Sequence, residues 1–335
     1  MLFFFPLFFA LFQTQPPPFP RLPVSNLTLP DCTGKLALVT GGKNESIALQ
    51  VGLRLASLGV QVTLTTRNKH TYNFGLLTGT TIKVVQLVLG SYNNGLDSPR
   101  RVASQFITDN GRRPDFLVHG AGQVVNGLYH DMSDEFHAWA HKMSVIDPIA
   151  IEQEFLRSDA TAVKMTVLDI SSFAGWGTPP FYQQQYNSKS WEHRQKVEAM
   201  ATSLRFSNTE WLMTMCVFVN TSSMDFSVNP SAEPGDLTVT GDFAAQEFQR
   251  LFKLYARTRG FPPALTAEGI VQALVARELL NLTQHVVFDV SQGLGSAGLY
   301  QLYGQSSAVT VPSFRVVSSS PFIGINITNH VPPVK

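Results

Sequence analysis

Charge is scarce in this chain. Only 15% of the 335 residues are charged, and 25 basic against 24 acidic side chains leave a net charge of +1. So even a balance provides no basic field for a phosphate backbone, and no nucleic-acid partner is expected. Cysteine is scarcer still. Cys32 and Cys216 are too few for a disulfide framework and lack zinc-ligand spacing, so each reads as a free buried thiol and no metal is expected. The N-terminal apolar run is also too short for its apparent purpose. Residues 2–12 (LFFFPLFFALF), interrupted by Pro6, would reach about 17 Å as a helix, against roughly 30 Å of hydrocarbon. The run lacks the basic flank and small-residue cleavage site of a secretory signal. Three readings stay open for it: a segment dipping into one leaflet, a cleaved signal, or disorder. Sequons at Asn26, Asn44, Asn220, Asn281 and Asn326 do not decide the compartment.

What is abundant is apolar surface, at 44% of residues, enough to bury the core of one large α/β domain or two small ones. Beyond a proline-rich linker (about 13–33), apolar runs and amphipathic stretches alternate in the βαβ manner. Strands are expected at 35–40, 60–66, 82–89, 116–119, 163–170, 211–219 and 286–290. Helices are expected at 46–58, 133–158 and 182–204. The alternation predicts a doubly wound α/β fold with a parallel sheet covered on both faces. Residues 34–303 form that domain. Residues 221–262, where prolines surround an aromatic helical stretch, are read as a small substrate lid, and 304–335 as a tail.

Three stretches carry chemistry. The first strand runs into Thr40-Gly41-Gly42-Lys43-Asn44-Glu45-Ser46-Ile47, a tight turn opening a helix. Such a turn lets backbone approach a pyrophosphate while the helix start offers amide donors. Glu45 fits beside a phosphate only if it points outward. The second strand ends at Arg67, where an acidic residue would hold the ribose of NAD; an arginine suits the extra phosphate of NADP. The fourth strand ends in His119-Gly120-Ala121-Gly122, a second small-residue turn, in which His119 reads as a packing histidine. Finally, Asp169-Ile170-Ser171-Ser172 is followed by Tyr182, Tyr186 and Lys189. Carbonyl reduction needs a hydroxyl to polarise the carbonyl, a phenol to give a proton and a cation to lower the phenol's pKa. Ser172, a tyrosine and Lys189 supply these types.

Together these motifs resemble the short-chain dehydrogenase/reductases over about residues 34–295. Within that superfamily the chain is most similar to the 3-ketodihydrosphingosine reductases, through TLTTRN, PDFLVHGAGQVVNGLYHDMSDEF, VLDISSFAG and MCVFVNTSSMDFSVNPSAEPGDL. The resemblance implies NADPH held by Gly41, Gly42, Asn44, Ser46, Ile47, Arg67, Gly120, Ala121, Gly122 and Lys189. It further implies a lipid-like ketone substrate and attachment to the endoplasmic reticulum membrane. A membrane surface and a second copy of the chain are carried as further partners.

The departures are specific. Later glycines of the cofactor loop are replaced by Ser46 and Ala48. Val88-Leu89-Gly90 stands where the family has an aspartate that holds the adenine. Ser144 stands where the family helix has an asparagine. Gln185 occupies the family tyrosine position, thirteen residues after Ser172 and four before Lys189, and an amide has no acidic proton to give. Tyr186 lies beside that position, turned by about 100° on a helix. Tyr182 lies two turns before Lys189, a spacing that resembles enoyl-thioester reductases, whose cofactor loop also holds Ser-Ile-Ala. Three functions therefore stay open: a ketone reductase, an enoyl-type reductase, and an NADP-binding homologue without catalysis.

Overall fold

The computed structural model describes residues 29–44, 46–70, 72–91, 98–122, 134–158, 163–172, 208–216, 263–275, 285–289 and 299–300. Its centre is one eight-stranded sheet. The strands are β1 (Leu36–Thr40), β2 (Gln61–Thr66), β3 (Lys83–Gln86), β4 (Phe116–His119), β5 (Met165–Ser172), β6 (Thr209–Cys216), β7 (His285–Asp289) and β8 (Leu299–Tyr300). Their spatial order is β3-β2-β1-β4-β5-β6-β7-β8. Every neighbouring pair is parallel except β7 with β8, which is antiparallel. The doubly wound α/β fold is therefore present, with one short reversed strand at its edge that the alternation pattern did not foretell.

The order reverses between β1 and β4, the topological switch point, and both strands end there at the same edge of the sheet. Seven parallel strands with apolar residues on both faces need cover on both sides. On one face lie α1 (Ile47–Ser57) and, near the C-terminus, α5 (Pro263–Val275). Ala48, Leu49, Val51 and Leu55 of α1 pack with Ala267, Ile270, Val271 and Leu274 of α5 over Val39, Val62 and Leu64. Arg54 ties these helices, its Nε donating to Glu268 at 2.6 Å. On the other face α2 (Pro99–Asn110) contributes Val102, Ala103 and Phe106. They meet Leu38, Leu117, Val167 and Trp211 of the sheet.

The expected helix at 133–158 is continuous but not uniform. It comprises α3 (Asp134–His141), one π turn (Lys142–Ile146) and α4 (Asp147–Arg157). The physical cause lies at Pro148, which has no N–H to close an α-helical bond on Ser144; Asp147 instead donates its N–H to the carbonyl of Lys142. Ile151 and Phe155 of α4 close the second core, Phe155 meeting Phe106 edge to face at 5.7 Å.

Several elements differ from the sequence reading; β6, expected at 211–219, spans Thr209–Cys216, and α5 was not expected. β3 stops at Gln86, and Leu87–Gly90 leaves the sheet through a turn in which Gly90 has φ +78°. β5 runs on to Ser172, because Ser171 and Ser172 keep register with Met215 and Cys216 of β6. α2 was not expected at all, although Ser98 caps it, Pro99 opens it and Gly111 closes it at φ +71°. Packing also begins before residue 34. Cys32 is buried, its N–H donates to Leu58, and Leu29 rests on the first core. Among the described residues no helix is long and apolar enough to cross a membrane. Residues 1–28, the 182–204 helix, the 221–262 lid and the 304–335 tail lie outside the described residues.

Candidate functional site

The site grows from the switch point. β1 ends in Thr40, and Gly41 turns the chain with φ +86°. A Cβ on Gly41 would lie 2.5 Å from the backbone of Ala121, and one on Gly120 would lie 2.7 Å from Ala48 Cβ and 2.8 Å from the Thr40 carbonyl. The two small-residue turns are thus packed backbone on backbone, a closeness that only glycine permits. Hydrogen bonds knit them. Thr40 Oγ1 accepts from the Ala121 N–H at 3.2 Å, and Thr65 of β2 accepts from both Gly41 (through Oγ1, 3.3 Å) and Gly42 (through its carbonyl, 2.7 Å).

This arrangement assigns the glycines a different task from direct phosphate donation. Their amides are spent on β2, and their contribution is the absence of side chains. Donors that could meet an anion lie instead at the start of α1. Ser46 is its N-cap, its Oγ accepting the Leu49 N–H at 3.0 Å. Helix geometry leaves the first-turn amides of Ile47 and Ala48 directed out of the helix end, where the dipole favours an anion. Asn44 lies in the turn between, half-buried; Glu45 is outside the described residues. Gly122 borders open space, with nothing within 4 Å of a Cβ there.

Arg67 follows β2 directly and is exposed at the same edge. Ser172 is the last residue of β5, half-buried, two strands from β1 on the other side of the switch point. A dinucleotide laid along this edge would meet Arg67 at one end and Ser172 at the other. Its pyrophosphate would fall over Gly41, Gly120 and the start of α1. The residues present fit such a group: Gly41 and Gly120 let the two turns seat on each other, Gly122 beside them borders open space, and the first-turn amides of α1 face the same edge. Tyr182, Gln185, Tyr186 and Lys189 lie outside the described residues.

His119 is buried, as expected of a packing histidine. Its Nε2 lies 3.1 Å from Glu152 Oε1, and the other carboxylate oxygen of Glu152 accepts from Trp211 Nε1–H at 3.0 Å. This buried trio bridges β4, α4 and β6 beneath the site. Sequence reading missed Glu152 and Trp211 because nothing in a linear pattern pairs residues 59 apart. It also missed Thr40 and Thr65. Among the described residues no cluster of His, Cys, Asp or Glu could hold a metal.

Comparison with known proteins places this geometry. No family model and no curated protein matches the chain. Solved structures do match in fold. L-sorbose reductase from Gluconobacter frateurii, complexed with NADPH and L-sorbose, superimposes with a TM-score of 0.60 at 14% identity, covering 78% of this chain and 97% of its own. A short-chain dehydrogenase from Salmonella enterica gives 0.58 at 16% identity, covering 79% and 98%. The actinorhodin polyketide ketoreductase with NADPH gives 0.58 at 17%, covering 80% and 99%. The chain has the fold of the short-chain dehydrogenase/reductases. Its open α/β sheet carries glycine turns at the switch point, where β1 and β4 end side by side.

Proposed function

We propose that this protein is an NADPH-dependent oxidoreductase that reduces a ketone. The observation that carries the reading is the backbone-on-backbone packing of Gly41 against Gly120 and Ala121, beside the capped start of α1. Packing of the two turns requires the glycines, and it leaves a side-chain-free edge beside Gly122 and the start of α1 where a negatively charged ligand can lie. Arg67, exposed after β2, favours NADPH over NADH by offering a guanidinium to the ribose phosphate. When bound, the cofactor supplies the hydride.

The chain's own residues supply the rest. The Ser172 hydroxyl, at the end of β5, hydrogen-bonds the substrate carbonyl oxygen and polarises it. A phenol, Tyr186 or Tyr182, gives that oxygen its proton. Lys189 lowers the phenol's pKa through its ammonium and holds the nicotinamide ribose. The substrate class follows from the sphingoid-like stretches and the apolar N-terminus: a long-chain ketone such as 3-ketodihydrosphingosine, met at the endoplasmic reticulum membrane. Gln185 at the family tyrosine position favours a second reading, a cofactor-binding homologue without turnover. The spacing of Tyr182 from Lys189 favours a third, an enoyl-type reductase.

Turnover of NADPH with 3-ketodihydrosphingosine and with an enoyl thioester, alongside NADPH titration, separates the three. For the ketone reductase, Tyr186→Phe is expected to cost roughly 10²–10⁴ in kcat with NADPH affinity nearly unchanged, and Tyr182→Phe little. The reverse pattern hands the acid to Tyr182. Full activity in the double variant would defeat the mechanism, and activity gained only in Gln185→Tyr would establish the inactive homologue.

A further inference from the structure

The loop after β3 is held in an unusual way. Leu87 donates its N–H to Thr66 at the end of β2, and from there the chain turns away from the sheet. At Gly90 the backbone N–H donates to Asp147 Oδ2 at 2.6 Å, and φ is +78°. A Cβ on Gly90 would stand 2.4 Å from Trp139 Nε1, so the indole lies against the glycine backbone. Leu89 packs on the buried cluster of Trp139, Ala140 and Met143. Trp139, Met143 and Asp147, spaced four apart along one helix, therefore all bear on Leu89 and Gly90.

Lys142 completes the arrangement by pairing its Nζ with Asp147 Oδ1. In a regular α-helix, residues five apart point about 140° away from each other. The π turn over Lys142–Ile146 brings them back together. The irregular turn, the buried carboxylate and the left-handed glycine thus belong to one device. Asp147 is 2% exposed and spends its second carboxylate oxygen on the buried Gly90 N–H of that loop.

The position of that loop gives the device a purpose. With the pyrophosphate over Gly41 and Gly120, and Arg67 at the ribose, the next backbone outward at that edge is the loop Leu87–Gly90. On the dinucleotide reading, this is the described backbone that the base of the nucleoside meets. This stretch carries no side chain able to recognise a base by charge, so its backbone has to be held still to offer a fixed face. We infer that Asp147, braced by Lys142 and Trp139, is a positioning residue for the nucleoside end of the dinucleotide site. It acts from the helix by locking the backbone of Leu89–Gly90. This rests on the dinucleotide-binding reading above.

The test uses the full chain and the two halves of the cofactor. Calorimetry would compare 2′,5′-ADP with reduced nicotinamide mononucleotide on the parent, Asp147→Asn and Asp147→Ala. Asp147→Ala is expected to weaken 2′,5′-ADP about tenfold, the worth of a charge-assisted hydrogen bond, and to leave the nicotinamide half unchanged. Asp147→Asn, whose amide oxygen still accepts the Gly90 N–H, should recover most of the loss. Equal weakening of both halves, or of neither, overturns the inference while the dinucleotide reading stands. Hydrogen exchange on the parent removes dependence on a variant that folds poorly. Exchange at Leu89–Gly90 should slow with 2′,5′-ADP and not with the nicotinamide half, and absence of that contrast also overturns it. A parent that binds neither half nor NADPH overturns the dinucleotide reading itself, and the role of Asp147 with it.

Discussion

Two residues at the sheet edge carry opposite kinds of constraint. Gly41 is constrained by space: its φ of +86° and the 2.5 Å clearance to Ala121 exclude any side chain. Gly41→Ala is therefore expected to cost on the order of 1–3 kcal/mol from backbone strain, with more from the clash, and to abolish NADPH binding. Thermal melting and cofactor titration read the two losses separately; a variant that melts and binds like the parent contradicts the packing. Arg67 is exposed at the end of β2, and on the proposed reading its charge is what counts. Arg67→Asp should raise the Kd for NADPH by one to two orders of magnitude, corresponding to about 1.5–3 kcal/mol, and should leave NADH unaffected or improved. Equal dissociation constants for the two cofactors in the parent would remove the basis for NADPH preference.

At the scale of elements, α1 joins stability to the proposed binding. Its buried face of Ala48, Leu49, Val51 and Leu55 fixes it on the sheet, and Arg54 fastens it to Glu268 of α5. The Ser46 cap settles where the helix begins, and hence where its first free amides point. Ser46→Ala is expected to lower stability by about 1 kcal/mol and to weaken NADPH binding, since the first turn frays toward the phosphates. Denaturant unfolding checks the first effect and titration the second. Loss of stability with unchanged affinity would confine Ser46 to capping. The π turn ahead of α4 is the other element with consequences. Pro148 creates it, and Asp147 and Lys142 use it to reach the loop after β3.

At the scale of the whole molecule, Leu29 is the first of the described residues to touch the core. The apolar run and most of the proline-rich linker precede that point. Deleting residues 1–24 is expected to leave a soluble domain that melts cooperatively and binds NADPH, while release from membranes follows the lost apolar run. An insoluble or unfolded product would move the domain boundary toward the N-terminus.

How much of this was legible beforehand depends on the range of the interaction. Buried strands such as Leu36–Thr40 and Phe116–His119 show in the sequence as short apolar runs, since both of their faces need cover. The turns after them show as glycine, and the cap of α1 as serine before an amphipathic stretch. These are local signals, and they determined the fold class and the glycine turns at the switch point. The start of α2 was equally local, in Ser98 and Pro99, yet its sparse apolar face hid it. Tertiary structure alone decided the rest. It set Gly41 against Ala121, gave the Gly41 and Gly42 amides to Thr65, joined His119 to Glu152 and Trp211, and turned Asp147 onto Gly90. Each of those pairs is distant in sequence. Periodicity records which residues are buried, whereas partner choice depends on how strands and helices are brought together in three dimensions.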